Sequence, residues 1–168
     1  EQPEKVVRAL SSLKQLWVEA FSAMNAIIAD AGNRGGIGWA GVWAPGTTFP
    51  LQEDISYMLS PGMFREFCLP HIRDCVDAMD FPLYHLDGVG AIPHLDALLE
   101  IEALKVIQWV PGAGREDLHE WYELIAKILS AGKSCQVFAR TDEIPRLIDA
   151  TGSRGLLISC WDADEAQA

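Results

Sequence analysis

Short apolar runs alternate with amphipathic helical stretches from residue 60 onward, and this alternation constrains the fold more than any other feature of the chain. The runs are apolar on both sides, as strands buried in a parallel sheet are. Each run is followed by apolar residues at three- and four-residue steps, the pattern of a helix packed on one face. The runs are Pro82–Tyr84, Leu104–Val110, Ser134–Ala139 and Leu156–Ser159. The sequence therefore predicts repeated βα units, either in a doubly wound sheet or in part of a (β/α)8 barrel.

The length of the chain limits how much of a barrel it can form. A complete (β/α)8 barrel typically needs about 250 residues, whereas this chain has 168. Near its end, Asp164–Ala166 resemble the first turn of another helix. We therefore expect a single α/β domain over residues 1–168 that is a partial (β/α)8 TIM barrel, roughly its C-terminal half, with parallel strands and helices outside.

A long helix precedes the repeated units. Apolar residues recur at helical spacing within residues 1–31, which we expect to form a leading helix that ends at Gly32. Two short extended segments are predicted after it, at Trp39–Trp43 and Gln52–Met58. Ser60 then suits the cap of a second helix, because serine accepts a hydrogen bond from the first turn and a proline follows it.

Composition narrows the class of partner. The formal net charge is -11 and the sequence pI is near 4.6, which argues against nucleic acid or an anionic membrane surface. No apolar run is long enough to span a bilayer, and the charged start of the chain does not resemble a signal peptide. The four cysteines show no CxxC spacing, so we expect reduced thiols in a cytoplasmic protein.

His85 and Asp87 are the strongest candidate catalytic residues. They follow Pro82–Tyr84 where that strand should end, and residues two apart on a strand point to the same side. Ligands bind at the C-terminal ends of parallel strands. The pair suits either a metal site or an acid–base group with an orienting carboxylate, and the alternative is a histidine that only shapes a loop. Cys160, after the last strand, is the natural third zinc ligand, unless it is a small buried hydrophobic residue.

An acidic pair lies near the end of another predicted extended segment. Glu53 and Asp54 are adjacent in sequence, with Tyr57 shortly after them. These side chains can bind a cation, a metal or a protonated substrate. The alternative is a solvated loop, and the sequence favours neither interpretation.

Two tryptophans and an arginine also fall at predicted strand ends. Trp43 and Trp109 can form the walls of a pocket for a flat or cationic ligand, although both also suit core packing. Arg140 follows the Ser134–Ala139 strand. It can hold a carboxylate or phosphate of a small-molecule substrate, or it can form a salt bridge with a neighbour.

Several of these motifs together resemble the uroporphyrinogen decarboxylase superfamily, which includes the cobalamin-dependent methyltransferases. The resemblance runs from about Gln52 to the end of the chain and implies a (β/α)8 barrel with its active site at the C-terminal mouth. A Ser-Pro-x-x-Phe helix followed by a His-x-x-Gly strand end is fairly specific as a pair. The motifs that carry it are Glu53-Asp54, Leu59–Phe67 with Leu69-Pro70, His85–Gly88, Gly132-Lys133 and Gly155–Ile158.

The methyltransferase branch of this superfamily implies a zinc site and a corrinoid protein as partner. In that branch a His-x-Cys pair and a distant cysteine hold zinc, which activates a thiol. His85 matches the histidine and Cys160 approximately matches the late cysteine, whereas Asp87 stands where the branch has cysteine. The resemblance therefore implies a His/Asp/Cys zinc site that is harder and less thiophilic than the family's own.

Two alternatives to methyl transfer stay open. The resemblance also implies a decarboxylase-type lyase of porphyrin metabolism, in which His85 and Arg140 hold substrate carboxylates and a carbanion is protonated without metal. The arginine-rich segment and early aspartate of that branch are not in this sequence. The third hypothesis is a non-catalytic fragment that self-associates through the open edge of its half-barrel.

Overall fold

The computed structural model describes residues 2–160 and residue 162. A five-stranded parallel sheet lies at its centre, and its strands follow one another in chain order. A separate pair of short antiparallel strands precedes it. The strands of the pair are β1 (Gly36–Ile37) and β2 (Trp43–Ala44), and those of the parallel sheet are β3 (Pro50–Leu51), β4 (Leu83–Asp87), β5 (Val106–Val110), β6 (Ser134–Ala139) and β7 (Leu156–Cys160).

Helices connect the parallel strands, so the predicted α/β class is confirmed. The α-helices are α1 (Pro3–Asp30), α2 (Pro61–Met63), α3 (Leu69–Asp77), α4 (Leu95–Leu99), α5 (Tyr122–Ser130) and α6 (Ile144–Thr151). Tighter 3-10 turns cover Asp54–Met58, Val89–His94 and Leu118–Trp121. Within the described part of the chain, no helix has both the length and the apolar character needed to cross a membrane.

The leading helix and the second helix begin where the sequence predicted. The Ser60 hydroxyl accepts a hydrogen bond from the backbone N–H of Met63 at 3.2 Å, which caps α2. Between α2 and α3 the helix widens into a π turn at Phe64–Cys68. Pro70 accounts for this widening, because proline lacks the N–H that would bond four residues back and its ring would collide with that carbonyl.

The two predicted extended segments before Ser60 were largely wrong. Of Trp39–Trp43 only the last residue is in a strand, because a turn closed by the Gly41 N–H and the Gly38 carbonyl occupies the rest. Most of Gln52–Met58 is a 3-10 turn. Its neighbour β3 pairs with β4 at only two positions, so no ladder of hydrogen bonds continues through the segment.

The two faces of the parallel sheet differ in chemistry. The face toward the helices is apolar and contributes to the core through Tyr84, Leu86, Ile107, Trp109, Cys135 and Val137. On the opposite face, His85 of β4 is in register with Gln108 of β5, which is in register with Gln136 of β6. Both glutamines are buried. A row of polar groups therefore crosses the centre of the sheet and has to be satisfied by hydrogen bonds within the protein.

A buried lysine, Lys133, directly precedes β6 and stabilises the fold by hydrogen bonds to two backbone carbonyls. Lys133 Nζ donates to the carbonyls of Ile101 at 2.6 Å and Glu102 at 3.2 Å, and burial lowers the pKa of this lysine. Lys133→Met should reduce the free energy of unfolding by about 1–3 kcal/mol, because both carbonyls lose their partner. Urea denaturation measures the change. Lys127→Met is the matched control, since Lys127 is exposed and forms its ion pair with the exposed Asp96 at the surface. An equal loss in both variants would contradict the buried role.

Candidate active site

On the polar face of the sheet, Asp87 is the last residue of β4, and His85 lies in the middle of that strand rather than at its predicted end. Its Nε2 is 3.9 Å from Asp87 Oδ2, too far for a hydrogen bond. The His85 side chain is 13% exposed and that of Asp87 is 48% exposed. The imidazole is therefore mostly buried and the carboxylate is half exposed beside it, which confirms that the two side chains share one side of β4.

Two buried glutamines hold the other nitrogen of His85. Nδ1 is hydrogen-bonded to Gln108 Oε1, and Gln108 Nε2 donates to Gln136 Oε1 at 3.0 Å. Gln136 Nε2 in turn donates to the Ala40 carbonyl at 3.0 Å and to Ser159 Oγ at 3.1 Å. A carbonyl oxygen only accepts, so the proton of a neutral His85 is on Nδ1. Its Nε2 therefore carries a free electron pair.

Two aromatic rings lie beside His85 and the turn that follows β4. The ring of Trp39 meets His85 edge-on, with centroids 4.9 Å apart and planes at 77°. Tyr57 lies over the turn that follows β4, where Gly88 adopts a positive φ of 75°. A Cβ on Gly90 would be 2.6 Å from carbons of the Tyr57 ring, so only glycine leaves room for it. Tyr57, a predicted substrate-binding residue, therefore lies beside the strand end that carries His85 and Asp87.

Glu53 and Asp54, the predicted acidic pair, lie in different environments. Leu51 is in register with Tyr84, a residue of the helix-facing side, and Glu53 follows Leu51 at the same parity. Glu53 is half-buried, and its pKa is raised by burial and then by the neighbouring charge of Asp54. Asp54 is exposed and accepts from Gln52 Nε2 at 3.3 Å. Glu53 thus lies on the helix side of β3, while His85 lies on the polar face of β4.

The two predicted wall tryptophans and Arg140 are not gathered at His85. Trp43 belongs to the antiparallel pair and is 65% exposed. Trp109 is 1% exposed on the helix face, where it packs edge-on against Trp121 at 5.0 Å. Arg140 Nε donates to Asp142 Oδ1 at 3.1 Å, the salt bridge that the sequence had left as an alternative.

Cys160 lies on the other face of the sheet from His85. Ser159 contacts Gln136 on the polar face, and adjacent residues of a strand point to opposite faces. Across the described residues, no group of three or more His, Cys, Asp or Glu side chains is arranged to hold a metal ion. His85 and Asp87 thus offer two donors where catalytic zinc takes three protein ligands, so the described residues fit zinc only in part.

The residues that complete the site were not predicted from the sequence. They are Trp39, Ala40, Gln108, Gln136 and Ser159. One signal was present: Gln108 and Gln136 each lie between two apolar residues inside a predicted buried strand. A buried amide needs partners, so two such glutamines on neighbouring strands indicate a polar row across the sheet.

No protein family model, curated protein or solved structure matches the chain. The likeness to the uroporphyrinogen decarboxylase superfamily stays a prediction from sequence motifs.

Proposed function

We propose that the chain is the C-terminal part of a (β/α)8-type enzyme that acts on a small molecule by proton transfer, with His85 as the group that accepts and returns the proton. The parallel sheet in chain order supports the barrel segment, because a barrel places successive strands side by side. The position of Asp87 at the carboxyl end of β4, on the same side of the strand as His85, supports the site, since that end of parallel strands is where ligands bind.

The observation that carries this proposal is the hydrogen bond between His85 Nδ1 and Gln108 Oε1. It leaves Nε2 unprotonated in the neutral ring, on the side of the half-exposed Asp87 carboxylate. An oriented imidazole with one nitrogen held and the other free is the arrangement that general acid–base catalysis uses. When Nε2 takes a proton, the Gln108 oxygen still accepts from Nδ1–H, so the same contact supports both states of the ring.

Asp87 and Trp39 suit the same role. The carboxylate of Asp87, 3.9 Å from Nε2, attracts the positive charge that His85 acquires with a proton. The Trp39 ring packs edge-on against the imidazole, with the ring centroids 4.9 Å apart, and helps to hold it in place. The carboxy-lyase chemistry implied by the family resemblance is one such proton transfer: the bond to the carboxylate breaks, CO2 leaves, and the electron pair left on carbon takes the proton from Nε2.

The test is hydrogen–deuterium exchange at carbon. The full chain is incubated in D2O with a chelator and a panel of carbon acids that includes neutral ketones, aminoketones and β-keto acids, and deuterium incorporation is followed by proton NMR. The proposal expects exchange above the protein-free rate in at least one class. A panel that shows no exchange above that rate in any class would contradict it.

A second candidate function is methyl transfer with a divalent metal and a corrinoid protein partner, as the methyltransferase resemblance implies. The specific observation in its favour is that His85 Nε2 and Asp87 Oδ2 lie near each other without a hydrogen bond between them. Those two atoms are the donors that would hold zinc. A zinc ion there would supply a Lewis acid that lowers the pKa of a bound nucleophile.

Calorimetric titration with zinc alone separates the three proposed ligands. His85→Ala and Asp87→Asn should each weaken zinc binding by at least about tenfold if they hold the ion. Cys160→Ala should leave it unchanged, because Cys160 lies on the opposite face of the sheet. Tight stoichiometric zinc that disappears in Cys160→Ala would show that this cysteine reaches the same site.

A further inference from the structure

We propose that Gln136 is a positioning residue: acting through Gln108 and anchored on the Ala40 carbonyl, it determines which ring nitrogen of His85 carries the proton. This inference deepens the proposed function and depends on it for its catalytic consequence. Its test, however, reads the proton position directly, so it can fail or succeed independently of any activity.

The Ala40 carbonyl fixes the orientation of the Gln136 side-chain amide. Its Nε2 is 3.0 Å from the Ala40 carbonyl oxygen, and that oxygen has no proton to give. The NH2 group must therefore face Ala40, since the reverse orientation would bring two acceptors together in a buried place. The second proton of Nε2 goes to Ser159 Oγ. Gln136 Oε1 is thus directed at β5.

The Gln108 side-chain amide transmits this orientation to His85. Because an acceptor of Gln136 faces Gln108, the Gln108 amide must present its NH2 group to β6. Its own oxygen then faces β4 and His85 Nδ1. Both amides are 1% exposed, so water does not offer them other partners. The direction of donation is therefore set at Ala40 and ends at the imidazole, two strands away from Gln136.

Ser159 cannot set this direction. A hydroxyl both donates and accepts, so Ser159 satisfies Gln136 in either orientation of the amide. The Ala40 carbonyl is the directional element, and it belongs to the same loop as Trp39, whose ring contacts His85. The loop thus docks at both ends of the polar row. If this loop moved away from the sheet, the side-chain amides of Gln108 and Gln136 would be free to rotate. His85 would then carry its proton on either Nδ1 or Nε2.

The experiment compares five forms of the full chain by long-range proton–nitrogen NMR of the histidine rings, which shows which nitrogen is protonated. Wild type should show His85 wholly with its proton on Nδ1. Gln136→Met should show both tautomers, because Gln108 loses its fixed acceptor. Gln136→Glu should restore the single Nδ1–H form, since a carboxyl group that donates its O–H to the Ala40 carbonyl accepts from Gln108 through its other oxygen. Ser159→Ala should keep the wild-type pattern. His85→Gln identifies the signal by its disappearance.

Four outcomes would overturn the proposal. They are an Nε2–H ring in wild type, a single Nδ1–H ring in Gln136→Met, a mixture in Ser159→Ala equal to that in Gln136→Met, and a mixture in Gln136→Glu. Circular dichroism confirms that each variant is folded. If Gln136→Met does not fold, Gln136→Glu against Ser159→Ala still decides the matter, because a tautomer mixture in Gln136→Glu contradicts the directional argument.

Discussion

Replacing His85 with glutamine should lower the rate of proton exchange at carbon by about 10²- to 10⁴-fold, the usual contribution of a general acid–base group. Glutamine retains a polar side chain of similar size but cannot take up a proton at neutral pH. The rate is measured with the most active carbon acid of the panel, in chelator, for wild type and variant at equal concentration.

His119→Gln provides the matched control for this loss. His119 is an exposed histidine that is hydrogen-bonded to Asp117 rather than to the polar row, so its replacement removes an imidazole without touching the site. We expect its exchange rate to equal that of wild type. If both histidine variants lose the same fraction of activity, the exchange does not come from His85.

Trp109→Ala should lower the free energy of unfolding by about 3–5 kcal/mol, the cost of truncating a large aromatic residue in a core. Trp109 is one of the largest fully buried side chains, and its partner Trp121 would be left beside a cavity. Denaturation in urea with and without the substitution gives the value. For a domain of this size such a loss is a large fraction of the total stability.

Trp43→Ala is the comparison that separates a core residue from a ligand-binding wall. Trp43 is mostly exposed, so we expect a change within about 0.5 kcal/mol. Both tryptophans had been predicted to line a pocket, and only one is buried against the helices. A small effect at Trp109, or a large one at Trp43, would contradict the placement of the two rings.

The parts of the fold that follow from periodicity were predictable. Apolar runs that alternate with helical stretches indicated the strands β4 to β7 and their helices, since a buried parallel strand and a one-faced helix have distinct patterns. The same reasoning placed His85 and Asp87 on one side of β4, because the alternation of side chains depends only on local geometry.

Features that depend on exact strand ends or on tertiary contacts were not predictable. One residue of register moves a side chain to the other face of a sheet, and this difference separates Cys160 from His85. Glu53 also lies away from His85, because it follows β3 on the helix side of the sheet. Trp39 reaches His85 through a loop, and the sequence carries no periodic signal for where a loop docks.

The most direct test of the central claim, that the free Nε2 of His85 moves a proton, is to measure exchange by wild type first in chelator and then with added zinc. We expect proton exchange at carbon to persist in chelator and to fall when zinc is added, because the ion and the proton compete for the same electron pair of His85 Nε2, beside Asp87. Exchange that stops in chelator and returns with zinc would contradict it, and would favour the metal-dependent function instead.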